Sequence, residues 1–217
     1  MRTFLVSLLL AVFLISTASA ELLTTANPIG QGKWAFELLG LQNQNASNNS
    51  AYSQTAYGGY AGYGLTDKLD LLVNVASANM SGLPTGMEIS GTAIGANLKY
   101  AVIEEAPVSV AVGLGYKSTN TTIKTITTTN TPGTQMMLGI GVSKIMAPFI
   151  PYGGVAYRKT ASNGTDASTQ LDGTIGSAIA WSKQGAIFIE YTLQSITLTG
   201  GTNYSSGQIA LGVGYKI

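Results

Sequence analysis

The feature that most constrains this chain is a two-residue alternation that returns again and again after residue 31. In the final segment Ile209, Leu211, Val213, Tyr215 and Ile217 fall on one face, and Gln208, Ala210, Gly212, Gly214 and Lys216 on the other. Val108, Val110, Val112, Leu114 and Tyr116 oppose Ser109, Ala111, Gly113, Gly115 and Lys117 in the same way. Successive side chains of a strand point to opposite sides, so each stretch is a strand with one greasy face and one small or polar face. Strands are predicted near 32–43, 52–65, 69–79, 89–102, 108–118, 134–145, 150–160, 169–181, 185–196 and 205–217. The chain is therefore all-β and antiparallel with about ten strands, eight and twelve being the neighbouring even counts.

Two architectures could bury such faces. A soluble sandwich packs its greasy faces together and needs a charged exterior. Here charged residues make up 10% of the chain, against roughly 25% in an average soluble domain. The non-greasy faces are Gly, Ala and Ser with scattered charge, which suits the crowded interior of a small closed barrel. The connectors also alternate. Thr66–Lys68, Glu104–Pro107, Ala147–Phe149 and Ser182–Gln184 are tight, whereas 43–51, 80–88, 119–133, 161–168 and 197–204 read as longer polar loops. Tilted strands of this length match a bilayer core, and closure satisfies the backbone groups that lipid cannot. The prediction is a transmembrane up-and-down antiparallel β-barrel over 32–217. Trp34, Tyr63, Tyr100, Trp181 and Tyr215 fall at the short-turn ends of the greasy faces, where an interfacial aromatic girdle belongs.

The first residues are of another kind. Arg2 is followed by an apolar stretch from Phe4 to Ile15 and by Ala18-Ser19-Ala20. This pattern predicts a secretory signal peptide over 1–20, cleaved before Glu21. Residues 21–31 then form an N-terminal periplasmic lead-in. Cleavage removes one basic residue, leaving 10 basic against 10 acidic residues (11 − 1 = 10).

Tyr63-Gly64-Leu65-Thr66-Asp67-Lys68-Leu69-Asp70-Leu71 and the ending Ala210-Leu211-Gly212-Val213-Gly214-Tyr215-Lys216-Ile217 resemble segments of the small bacterial outer-membrane barrels, the porin-like and OmpA- or OmpW-like proteins. The resemblance implies an integral protein of the Gram-negative outer membrane with periplasmic termini. Its expected partners are outer-membrane lipids and the outer-membrane assembly machinery. Leu211, Val213, Tyr215 and Ile217 would form the assembly signal, with Ile217 standing where Phe or Trp is usual.

The chemistry of the chain is largely negative. Histidine and cysteine are absent, which removes the commonest general base, the commonest metal ligand and every thiolate. The enzymes among the barrels it resembles rely on histidine, so the expectation is a non-enzyme with no cofactor and no metal site. No basic patch exists to neutralise phosphates, so no nucleic-acid partner is expected.

What remains is a set of charges on the inward faces: Glu37, Lys99, Lys117, Arg158, Asp172 and Glu190, accompanied by Lys33 and Asp70. They either pair into a network that closes the lumen or line a narrow channel for small solutes and set its ion preference. Inward glycines such as Gly95, Gly115, Gly176 and Gly212 leave space, which favours the channel. The expected function is a narrow porin-like channel or a structural envelope barrel. The alternative is a surface-interaction barrel, adhesin- or receptor-like, acting through its extracellular loops.

Overall fold

Apolar residues on one face and small ones on the other make strands that can roll into a wall with its apolar face outward. The computed structural model describes residues 25–44, 53–105, 107–163 and 165–217, and the leader predicted over 1–20 lies outside them. The strands are β1 (Trp34–Gln44), β2 (Ser53–Gly64), β3 (Leu69–Ser81), β4 (Glu88–Glu105), β5 (Val108–Lys124), β6 (Thr128–Lys144), β7 (Phe149–Ser162), β8 (Thr165–Ala180), β9 (Gly185–Leu198) and β10 (Asn203–Lys216). Each is antiparallel to the next, and β10 returns to β1 to close a ten-stranded barrel. Trp34 and Ile217 seal that seam with reciprocal backbone hydrogen bonds of 3.1 and 2.8 Å. Closure leaves no edge strand, as a lipid environment demands.

The predicted greasy faces point outward. Leu38, Ile94, Leu114, Leu138, Ile175 and Leu211 are all exposed on the outer wall. On β5 the outward apolar residues run from Val108 to Tyr116. At about 3.3 Å per residue and a tilt near 40°, that is a band roughly 20 Å tall. Trp34, Tyr100, Trp181 and Tyr215 stand about half exposed at the short-turn end. Tyr63 is half-buried and packs on Trp34 with ring centroids 4.9 Å apart.

One predicted loop is a correction. Residues 119–133 are not a long polar loop: β5 and β6 continue in register to the pair Lys124 and Thr128. Thr119, Thr121, Thr122, Ile123, Thr129 and Thr131 are β-branched, and that preference outweighs their polarity. The stretch 161–168 likewise tightens to a short turn, with Asn163 at φ 51°.

Candidate functional site: the barrel interior

At the short-turn mouth the interior is filled by the chain's own backbone. Residues 25–31, the described part of the predicted lead-in, form a strap inside the mouth instead of hanging free. The Ile29 amide donates to both carboxylate oxygens of Asp70 at 3.1 Å. Lys99 sits 3.2 Å from Asp70 and donates to the carbonyls of Asn27 and Thr25 at 2.9 and 3.3 Å. Ser109 donates to the Asn27 side chain at 2.6 Å, and the Ala26 amide donates to Ser143 Oγ at 3.1 Å. Gly30 and Gly32 carry φ of 89° and 74°, which lets the strap turn into β1. Its seat is cut by glycine: a Cβ at Gly62 would lie 2.5 Å from Ile29, and one at Gly64 would collide with the Gly30 backbone. The strap has no periodicity, so sequence reasoning missed it. The signal it left is the placement of Gly62 and Gly64 on inward positions beside Asp70.

The middle of the barrel is apolar. Leu39, Leu41, Tyr60, Tyr152 and Phe188 pack together among alanines. Here the glycine expectation is corrected. A Cβ at Gly176 would come within 2.5 Å of the Tyr152 ring, and one at Gly212 would strike Phe188. Gly95 and Gly115 make the same room for Asn74 and Asn97. These glycines accommodate neighbouring side chains where the sequence suggests open space.

The long-loop half holds a polar network. Arg158 Nε donates to Asp172 Oδ2 at 2.6 Å, and its Nη1 donates to Gln135 at 3.2 Å. Gln170 donates to the other Asp172 oxygen at 2.6 Å, and Gln135 donates to Thr160 at 3.1 Å. Beside them Thr192 donates to Glu190 at 3.2 Å, Ser206 donates to Gln194 at 2.8 Å, and Gln194 donates to Gln208 at 3.2 Å. Nearer the long-loop mouth Ile89 and Ile123 pack with Met80, Leu83 and Met87.

The six predicted interior charges thus all lie on inward faces. Arg158 pairs with Asp172, Lys99 pairs with Asp70, and Glu190 is held by Thr192. Lys117 is buried beside Gln135 in the β5–β6 ladder, and Glu37 stands half-buried near the short-turn mouth. Lys117, Arg158, Asp172 and Glu190 are 3, 0, 0 and 3% exposed, and Lys99, at 7%, borders the short-turn mouth. Lys33, also predicted inward, is exposed at the mouth. Among the described residues no group of three or more acidic, histidine or cysteine side chains could hold a metal ion.

No family model and no curated protein matches the chain. Solved structures do. The translocator domain of the autotransporter NalP from Neisseria meningitidis superposes with a TM-score of 0.56 at 12% identity, covering 86% of this chain and 88% of that one. The β domain of the Bordetella autotransporter BrkA gives 0.50 at 16% identity, covering 85% and 98%. The likeness is one of fold: this chain shares the closed antiparallel β-barrel of these translocator domains.

Proposed function

Proceeding from an outer-membrane barrel fold, we propose that this protein is a closed, non-enzymatic barrel that serves the outer membrane as a structural envelope element and not as a solute channel. The observation that carries this reading is the Arg158–Asp172 pair, 2.6 Å apart, 0% exposed on both sides and braced by Gln135 and Gln170. A conducting lumen would leave that pair wet and mobile, because solutes must pass it. The tyrosine and phenylalanine cluster and the strap support the same reading on the short-turn side. Absence of histidine and cysteine supports a barrel without catalytic chemistry. Outer-membrane lipids cover the apolar band, and the assembly machinery reads Leu211, Val213, Tyr215 and Ile217. Export follows from the leader over 1–20.

The test is planar-bilayer conductance of the refolded mature protein, with folding verified by heat-shifted gel mobility. A silent bilayer is expected. Discrete ion-selective steps, altered by charge swaps at Lys117, Arg158 or Glu190, would establish the narrow small-solute channel instead.

A second reading, a surface-interaction barrel, draws on the β5–β6 hairpin, whose tip residue Ile126 is fully exposed. Deleting 120–131 should abolish any cell-surface binding the protein confers. Binding that survives the deletion removes the hairpin from that role.

A further inference from the structure

We propose that the cavity beneath the strap at the short-turn mouth is a binding site for a small amphipathic anion, an apolar body of on the order of ten non-hydrogen atoms bearing one carboxylate-like group.

The strap fills only one side of the mouth. Its anchors Asp70, Lys99, Ser109 and Ser143 stand on β3, β4, β5 and β6. Across from them the inward residues near the mouth are Ala35, Ala180, Ala186 and Gly214, side chains too small to reach the strap. A cavity of about 260 Å³ remains between strap and wall. That is just under the roughly 300 Å³ at which drug-sized pockets begin. Ile29, Tyr60, Leu72, Ile150 and Phe188 supply an apolar interior for the body of a ligand.

The rim supplies the charge. Lys183 and Lys216 line the cavity at its mouth. Lys216 is half-buried, has no carboxylate within ion-pair distance among the described residues, and reaches only the Pro28 carbonyl, at 3.4 Å. Asp70 and Glu104 attract it only from beyond ion-pair distance, and a partly desolvated ammonium with no direct carboxylate partner favours an incoming anion. Lys99, the other cation on the wall, is already neutralised by Asp70 at 3.2 Å. Glu37, the one carboxylate on the wall, has a partner of its own. The cation excess therefore sits where an acid head would emerge, with the apolar floor beyond it. An open and a closed barrel would carry this site equally, so it stands or falls apart from the structural reading.

The experiment is calorimetric titration of the full mature protein in lipid nanodiscs with sodium octanoate, using empty nanodiscs as the blank. Saturable one-site uptake is expected. Lys216→Gln should weaken it at least about tenfold, as removal of a charged hydrogen-bond partner does. Ala180→Phe should abolish it by filling the cavity, with heat-shifted mobility confirming that both variants fold. Octylamine should not compete. Uptake no greater than in empty discs, binding indifferent to both substitutions, or equal binding of octylamine would each overturn the proposal.

Discussion

The two halves of this barrel are filled by different means. At the short-turn end a run of backbone, Thr25 to Gln31, is held by Asp70, Lys99, Ser109 and Ser143, and it leaves a cavity on its far side. In the long-loop half, side chains of β6 to β10 are hydrogen-bonded strand to strand along the inner wall, and the Arg158–Asp172 pair is fully buried. A backbone plug is local in sequence and can be released as a unit. A side-chain network is knitted into several strands at once and can be lost only by breaking the packing of the wall.

The largest effect should come from the network. Asp172→Ala leaves a buried guanidinium uncompensated and should cost about 3–5 kcal/mol in urea unfolding from lipid vesicles. Replacing Arg158 and Asp172 together by Met and Leu should recover most of that. A cost below about 1 kcal/mol for the single variant would mean that water reaches the pair, and the contrast between the halves would collapse. The strap should yield more cheaply. Asp70→Asn removes the acceptor charge that both the Ile29 amide and Lys99 use, at a cost of roughly 1–3 kcal/mol. Hydrogen exchange at the Ile29 amide should then rise sharply while amides of β8 and β9 stay protected. Parallel loss of protection in both places would show that strap and wall open together. The smallest expected effect is the most informative about gating. Deleting 25–31 should leave planar bilayers silent, because the tyrosine–phenylalanine cluster and the Arg158 network still fill the lumen. Conductance steps in that variant would make the strap the gate.

Most of the wall was legible in the sequence and little of the filling was. Ile209 to Ile217 and Val108 to Tyr116 announce their faces by alternation, and each strand carries that signal without reference to any other. The hairpin at 119–133 was misread because threonine is both a polar loop residue and a β-former, and only the pairing partner across the turn decides between them. The strap had no period to detect. The pairing of Arg158 with Asp172 was out of reach for another reason: both charges were visible on inward faces, yet which of the eight inward charges would meet depends on register. Asp70 and Lys99 sit directly opposite in the β3–β4 ladder, whereas Arg158 lies opposite Gln170 and reaches Asp172 only on the diagonal.

What the sequence determined by itself is an antiparallel wall of about ten strands with an apolar outer band, because a two-residue period and a charge-poor composition favour a closed barrel with its greasy face outward. What only the tertiary structure decided is which side chains fill the inside. Strand tilt and stagger set which side chains share a level of the lumen. At those levels Gly176 and Gly212 make room for Tyr152 and Phe188, and Gly62 and Gly64 receive the strap. Gly176 and Gly212, which read as empty space along the chain, are in three dimensions the places where something large fits.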